Sequence, residues 1–177
     1  MALEPMALVT GAAHRLGKAF AMLLAQEGYA VGLHYWSSDD EAERAAAELR
    51  AAGARVFLLR ADLTDPHSIL GLFHRVDQIP HELKILVNSA GSLRANDPRN
   101  TSVSEWDLTM ALNLRAPFLC AQEAARRMSS GGLIVNITDV GARKAWSRYA
   151  AYATSKAALE ALTRILARAY APKIRVN

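Results

Sequence analysis

Tyr152 and Lys156 lie four positions apart in the stretch YATSK, which is typical of the first turn of a helix. Residues i and i+4 share one helix face, so these two side chains can act together. A phenol with a pKa of about 10 is a sluggish proton donor at neutral pH. A neighbouring ammonium favours the phenolate and is expected to lower that pKa, making Tyr152 a general acid for a carbonyl or imine under reduction. A Tyr/Lys pair alone is more often a surface pair, so its position in the fold must decide.

A second group of candidate residues lies in TGAAHRLG, residues 10–17, directly after the apolar run MALV. Gly11 allows a sharp turn after a strand, and Gly17 allows the next helix to pack closely on the sheet. The N-terminus of that helix offers N–H groups and the positive end of its dipole to a diphosphate. The stretch therefore predicts a dinucleotide-binding turn, although glycines also occupy such turns for geometry alone.

The end of the predicted second strand, LHYWSS, carries no carboxylate before Asp39. A site that prefers NAD usually has an acid there, which binds the ribose 2′-OH. A 2′-phosphate would instead meet Arg15, Ser37 and Ser38, which can pair with it or donate hydrogen bonds to it. The sequence thus favours NADP(H) over NAD(H), the alternative being that Arg15 only caps the first helix.

Alternating strands and helices predict where these residues lie. Strands are expected over 6–10, 30–36, 54–60, 84–88 and 132–138, and helices over about 15–27, 39–51, from 66, after 102 and over 150–170. Strands that alternate with helices imply parallel pairing and right-handed crossovers, and apolar strands imply helices on both sheet faces. We predict a doubly wound, three-layer α/β/α sheet of the Rossmann type in one domain, residues 1–177. The ending IRVN indicates the start of a sixth strand, so we expect further chain beyond it.

Composition excludes several other classes of protein. The 177 residues carry a net charge of +4, but the arginines are scattered, which argues against nucleic-acid binding. No apolar run approaches the roughly 20 residues of a membrane span. The five histidines form no metal-ligand cluster with cysteine or acids, and the lone Cys120 is compatible with a reducing cytoplasm. We expect a cytoplasmic protein that binds a small-molecule substrate and no metal, nucleic acid or membrane.

The motifs TGAAHRLG, ADL (61–63), NSAG (88–91), NLRAPF with Asn113, and YATSK together resemble the short-chain dehydrogenase/reductase family. The resemblance implies that Tyr152 donates a proton, that Lys156 is its electrostatic partner and binds the nicotinamide ribose, and that Asn113 belongs to a proton relay. It also implies a homodimer or homotetramer formed through helices 102–129 and 150–170. The catalytic residues expected are Asn113, Asp139, Tyr152 and Lys156. The cofactor-binding residues expected are Gly11, His14, Arg15, Leu16, Gly17, Tyr35, Ser37, Ser38, Asp62, Leu63, Asn88, Ala90, Gly91 and Lys156.

Asp139 departs from the pattern of that family, most members of which carry serine thirteen positions before the tyrosine. An ionised carboxylate cannot donate a hydrogen bond to a carbonyl, but it accepts hydrogen bonds from an amino-substituted heterocycle. With TGAAHRLG and LHY, this aspartate resembles the pteridine reductase branch, which reduces pterins or dihydrofolates with NADPH. That branch typically continues LHY with His-Arg-Ser, whereas this chain has Trp36-Ser37-Ser38. The alternatives are a reductase of 3-oxoacyl thioesters or other small carbonyls, and a non-catalytic relative that binds NADP(H).

Overall fold

The computed structural model describes residues 3–144 and 146–177. In this part of the chain, six parallel strands form one sheet in the order β3-β2-β1-β4-β5-β6. The order reverses direction beside β1, which opens a crevice at the carboxyl ends of β1 and β4. The strands are β1 (Glu4–Val9), β2 (Ala30–Tyr35), β3 (Val56–Arg60), β4 (His81–Asn88), β5 (Gly132–Asn136) and β6 (Ile174–Val176). The predicted Rossmann-type fold is confirmed, and its sixth strand begins where the sequence indicated.

Six α-helices connect the strands within the described residues. They are α1 (Arg15–Gln26), α2 (Asp39–Ala51), α3 (Pro66–Asp77), α4 (Val103–Met110), α5 (Ala116–Arg127) and α6 (Ala150–Tyr170). The carboxylate of Asp65 accepts hydrogen bonds from the backbone N–H groups that begin α3, and Ser102 forms a capping box with Glu105 at the start of α4. None of the helices in the described ranges combines the length and apolar character that a membrane span requires.

Alternate residues of each central strand supply two separate apolar cores. In β1, Met6 and Leu8 pack with residues of α3, α5 and α6, whereas Ala7 and Val9 pack with residues of α1 and α2. Successive side chains of a strand point to opposite faces of the sheet, so a strand covered on both sides must be apolar at every position. This double burial explains why the strands lack a polar alternation.

The single long helix expected over 102–129 is instead three consecutive segments. A π-helical segment, Ala111–Arg115, separates α4 from α5 and has Asn113 at its centre. Pro117, at the second position of α5, has no N–H to donate to the carbonyl of Asn113, and its ring crowds that carbonyl. A wider turn accommodates this break in the helical hydrogen bonds, and such turns are frequent at functional sites.

A buried histidine in β2 holds the turn that follows β1. Nδ1 of His34 accepts a hydrogen bond from the backbone N–H of Gly11 at 3.1 Å, and Nε2 bonds the carbonyl oxygen of Ala61 at 3.0 Å. A neutral imidazole protonated at Nε2 satisfies both contacts, whereas an imidazolium would direct two N–H groups at each other. Burial is the main cause that lowers the pKa of His34, to about 4. His34 therefore joins the ends of β1, β2 and β3 only in its neutral form.

Acidification should destabilise the fold through His34. The unfolded histidine binds a proton below its ordinary pKa of 6.5, whereas the folded one binds it only near pH 4. The free energy of unfolding should therefore fall as pH drops from 6.5 to 4, with a contribution of up to about 3 kcal/mol from this residue. Denaturant titrations of the wild type and His34→Asn at several pH values between 6.5 and 4 measure the free energy of unfolding. A plot of this free energy against pH should have a shallower slope for the variant. Exposed His67, changed in the same way, is the control; equal slopes in all three proteins would contradict the assignment.

Candidate active site

A cleft of about 700 Å³ lies at the carboxyl ends of the strands, and it gathers most of the predicted site residues. It is bounded by the turn after β1, the loops after β2, β3, β4 and β5, and the first turns of α6. The predicted residues that line it are Gly11, His14, Arg15, Leu16, Gly17, Tyr35, Ser37, Ser38, Asp62, Leu63, Ala90, Gly91, Asp139, Tyr152 and Lys156.

The turn after β1 has the shape that a diphosphate requires. Gly11 has a φ of +64°, and a Cβ atom there would lie 2.9 Å from Cα of Ala90. A Cβ atom at Gly17 would collide with the carbonyl oxygen of Gly11. The side chain of His14 does not cap α1, and no acid lies in the first turn, so the helix N-terminus offers its N–H groups to an anion. These features fit the diphosphate of a dinucleotide cofactor.

Arg15 occupies a backbone conformation that usually belongs to glycine. Its φ is +52°, and it is the one non-glycine residue with a positive φ among those described. Left-handed backbone strains a residue with a Cβ by about 1–2 kcal/mol, which indicates that the side chain has a use. The guanidinium lines the cleft, is exposed, and forms no ion pair within the described ranges. Arg15 thus presents an uncompensated positive charge at the glycine turn.

The loops after β2 and β3 form the far end of the cleft. Tyr35, Ser37 and Ser38 line it from β2, while Asp62 and Leu63 line it from β3. One oxygen of Asp62 accepts hydrogen bonds from the backbone N–H and the hydroxyl of Thr64, which fixes this loop. No carboxylate on the loop from Tyr35 to Ser38 opposes a 2′-phosphate, so this end fits NADP(H).

Two predicted residues lie behind the wall of the cleft. Asn88 is buried and donates to the side-chain oxygen of Asn136 at 2.9 Å, joining the ends of β4 and β5. Asn113 is also buried, and its side chain binds both backbone groups of Ser92 and donates to Oγ of Ser155. These two asparagines thus position the loop after β4 and the start of α6. The relay role of Asn113 stays a prediction.

Two residues that fix the turn were missed from the sequence. Besides His34, Thr10 connects the turn to the loop after β4, because its Oγ1 accepts hydrogen bonds from the backbone N–H groups of Ser89 and Ala90 at 3.0 Å. The position of Thr10 at the end of β1, immediately before the turn glycine, is the one sequence signal that could have indicated this role.

Tyr152, Asp139 and Lys156 converge at the near end of the cleft. The hydroxyl of Tyr152 donates to Oδ2 of Asp139 at 2.9 Å, and the other oxygen of Asp139 accepts from the N–H of Gly141 at 2.6 Å. Nζ of Lys156 donates to the carbonyl oxygen of Ile137 at 2.7 Å and lies 5.9 Å from the centre of the Tyr152 ring. A phenol, a carboxylate and an ammonium therefore share one wall.

The expected acidification of Tyr152 is wrong. Burial, followed by the hydrogen bond to Asp139 and the charge of that carboxylate, raises the pKa of Tyr152. Burial also lowers the pKa of Lys156, while Asp139 acts in the opposite direction. The carboxylate bonds the phenol directly, whereas the ammonium is held by Ile137, so both burial and the nearest charge favour the protonated phenol. Tyr152 therefore stays protonated at neutral pH, and its role as proton donor stays a prediction.

Comparisons with known proteins agree with this geometry. A family model described as "Enoyl-(Acyl carrier protein) reductase" matches residues 11–177. An uncharacterized oxidoreductase of Escherichia coli, YgfF, is 37% identical over 179 residues, covering 97% of this chain and 72% of its own. The chain belongs to the short-chain dehydrogenase/reductase family.

Two further matches have names that state an activity or a bound cofactor. The 3-oxoacyl-[acyl-carrier-protein] reductase FabG of Staphylococcus aureus is 33% identical over 180 residues, covering 100% of this chain and 73% of its own. The crystal structure of a short-chain dehydrogenase from Burkholderia cenocepacia in complex with NADP superimposes with a TM-score of 0.93 at 36% identity, covering 100% of this chain and 74% of that one. Among four curated relatives, YgfF and FabG included, the chain spans 63% to 73% of the length of the relative.

The family, the oxidoreductase class and the NADP(H) cofactor expected from the sequence are therefore confirmed. The pteridine reductase branch and the cytoplasmic location stay predictions. Within the described residues, no group of three or more histidine, cysteine or acidic side chains is arranged to hold a metal ion.

Two substitutions of Arg15 should distinguish the effect of its side-chain charge from the effect of its strained backbone. Arg15→Gly removes both, so NADPH affinity should fall about tenfold, as for one charge-assisted contact, while NADH affinity stays unchanged. Stability should not fall, because the relief of left-handed strain offsets the extra entropy of an unfolded glycine. Calorimetric titration and denaturant unfolding measure the two effects.

Arg15→Ala is the matched control for this test. It also removes the charge but keeps the strained backbone, so it should be less stable than Arg15→Gly by about 1 kcal/mol. If Arg15→Ala is more stable than Arg15→Gly, the backbone of residue 15 is not strained. If both variants keep the wild-type preference for NADPH, the guanidinium does not select the cofactor.

Proposed function

We propose that this protein is an NADPH-dependent reductase that transfers hydride to the C=N bond of a pterin or dihydrofolate-type substrate. The observation that carries the proposal is the hydrogen bond of 2.9 Å from the Tyr152 hydroxyl to the Asp139 carboxylate at the cleft wall. It places an acceptor with a negative charge where most of the family has a neutral donor.

The residues of this chain have two tasks in such a reaction. NADPH, when bound, supplies the hydride, and the protein must hold the acceptor carbon and deliver a proton to the neighbouring atom. Tyr152 is the donor, because it lines the cleft and its hydroxyl stays protonated over the whole neutral range, as a phenol does even without a raised pKa. Lys156 is tied to Ile137 beside the phenol ring, where its positive charge offsets part of the charge that remains after proton transfer.

The same pKa favours nitrogen over oxygen as the proton acceptor. A phenol beside a carboxylate is a weaker acid, and its phenolate would face a like charge. An imine nitrogen is more basic than a carbonyl oxygen, so it can take a proton from a weaker donor. In addition, the Asp139 carboxylate can accept hydrogen bonds from the amino and ring N–H groups of a pterin. Both effects support a C=N substrate.

A small-carbonyl reductase is the second candidate function. The similarity to FabG favours it, since that relative is named a 3-oxoacyl-[acyl-carrier-protein] reductase. In this case, Tyr152 would donate to a carbonyl oxygen and Asp139 would only orient the phenol. A non-catalytic NADP(H)-binding relative is disfavoured by the presence of Tyr152, Asp139 and Lys156 in one wall of the cleft.

We also propose that the protein forms a homodimer or homotetramer through α4, α5 and α6. An apolar groove of about 760 Å³ runs between these helices. Two large apolar side chains line this groove and are exposed to solvent: Ile165 is 63% exposed and Phe118 is 37% exposed. Side chains of this size are rarely left in a continuous apolar patch unless a partner covers them. A second copy of the chain is the partner that the family resemblance implies.

A substrate panel tests the proposed function. Consumption of NADPH is measured with dihydrobiopterin, dihydrofolate and an acetoacetyl thioester, for the wild type, Tyr152→Phe and Asp139→Ser. We expect turnover of a pterin or dihydrofolate, and a loss of about 100-fold or more in Tyr152→Phe because the proton donor is gone. Asp139→Ser should lower kcat/KM for the pterin by about 10-fold to 100-fold, the worth of charged hydrogen bonds, and should raise turnover of the thioester.

The pH dependence of the reductive rate of Asp139→Ser tests the hydrogen bond between Tyr152 and Asp139 specifically. Loss of the carboxylate lowers the pKa of Tyr152, so the alkaline decline of the reductive rate should move to lower pH. Turnover of the thioester without any pterin would establish the second candidate. Tight NADPH binding without turnover of any substrate would establish the non-catalytic alternative.

A charge introduced into the groove should dissociate the oligomer. Ile165→Glu would bury a carboxylate in the apolar contact, so the mass measured by light scattering after gel filtration should fall to that of one chain. Leu23→Glu is the matched control, because Leu23 is 52% exposed but lies on α1, away from the groove. A monomeric wild type, or an unchanged mass in Ile165→Glu, would contradict the proposed contact.

A further inference from the structure

Arg60 lies directly behind the far end of the cleft, in a position that the sequence motifs did not single out. It is the last residue of β3 and pairs in register with Tyr35 of β2. Nε of Arg60 donates to the carbonyl oxygen of Trp36 at 3.0 Å, and the guanidinium lies 5.3 Å from the centre of the Trp36 ring. One side chain thus holds both the backbone and the ring of Trp36.

Trp36 is the residue through which Arg60 reaches the cleft. Its ring lines the cleft and remains half-exposed, and it is followed by Ser37 and Ser38, which also line it. An aromatic ring at the rim offers a flat apolar surface to a purine base, while the hydroxyls beside it can donate hydrogen bonds to a phosphate. The orientation of this segment therefore depends on Arg60.

Arg60 also balances the first acid after this segment. Its Nη1 lies 3.7 Å from Oδ1 of Asp39, and both side chains are more than half exposed. Such an ion pair is weak, so it cancels only part of the positive charge that Arg60 brings to this side of the cleft. At the same time, the positive charge reduces the repulsion between Asp39 and a phosphate anion.

The surroundings of Arg60 hold it firmly in place. Nη2 of Arg75 donates to the carbonyl oxygen of Arg60 at 2.6 Å, and Nη2 of Arg115 donates to that of Thr64 at 2.6 Å. Both contacts pin the loop after β3 by its backbone and bring two further positive charges to this side of the cleft. Arg15 lines the cleft itself, whereas Arg60, Arg75 and Arg115 contact its loops from outside the lining.

We propose that Arg60 is a specificity-determining residue that favours NADP(H) over NAD(H). Arg60 supplies positive charge behind the segment 36–38, which carries no acid, and it holds Trp36 at the rim of the cleft. Without Arg60, Arg15 would be the one arginine expected to attract the 2′-phosphate. The inference rests on the NADP(H) cofactor of this protein and is independent of the substrate.

Cofactor binding without turnover tests this role. Dissociation constants for NADPH and NADH are measured by calorimetric titration in the wild type, Arg60→Gln and Arg60→Lys. Arg60→Gln should weaken NADPH binding by about fivefold to twentyfold, and NADH binding by clearly less, because NADH shares the purine that faces Trp36 but has no 2′-phosphate. Arg60→Lys keeps the charge and should retain most of the preference for NADPH. Adenosine 2′,5′-bisphosphate and adenosine 5′-monophosphate should repeat the difference, since they lack the nicotinamide half.

Arg55→Gln is the matched control, because Arg55 precedes β3 at its other end and pairs with Glu4. It should leave both dissociation constants unchanged. An equal loss of NADPH and NADH binding in Arg60→Gln would show that Arg60 only maintains the loop, and an unchanged preference would show that its charge has no role; either result overturns the proposal. Because no substrate enters these measurements, the outcome does not depend on whether pterins are reduced.

Discussion

The close contact between the turn after β1 and its neighbours is the constraint on which the whole cleft depends. Gly17 has no room for a side chain against the carbonyl of Gly11, and Gly11 itself lies against the loop after β4. Thr10 and His34 then tie that turn to the ends of β2, β3 and β4 through hydrogen bonds. Because several strand ends meet at one turn, a small displacement there would move both the cofactor surface and the wall that carries the reactive groups.

Burial and a carboxylate keep the phenol of Tyr152 protonated, and the ammonium that the sequence brought to attention does not offset them. A lysine four residues from a tyrosine suggests an acidified phenol, but Nζ of Lys156 is bound to Ile137 and reaches the ring only at 5.9 Å. Asp139 bonds the phenol directly. The phenol is therefore held in its protonated form, the form from which a proton can be delivered.

Local signals predicted the secondary structure well, because caps act within a few residues. Asp65, Pro66 and the Ser102–Glu105 capping box begin their helices where the sequence indicated. The π-helical segment was missed, since it depends on how Pro117 and the buried bonds of Asn113 fit the sheet. The left-handed backbone of Arg15 and the bonds of His34 were missed for the same reason: they depend on residues distant in sequence.

The two ends of the cleft are formed by different loops, and this separation has a consequence for selectivity. Arg15 lines the cleft at the turn after β1 and Arg60 contacts Trp36 in the loop after β2, whereas Asp139, Tyr152 and Lys156 lie together at the near end. Side chains at one end are screened from the other by solvent in an open cleft, since interactions fall off over about 10 Å at moderate salt. Cofactor binding and the hydrogen bond between Tyr152 and Asp139 can therefore be altered independently of each other.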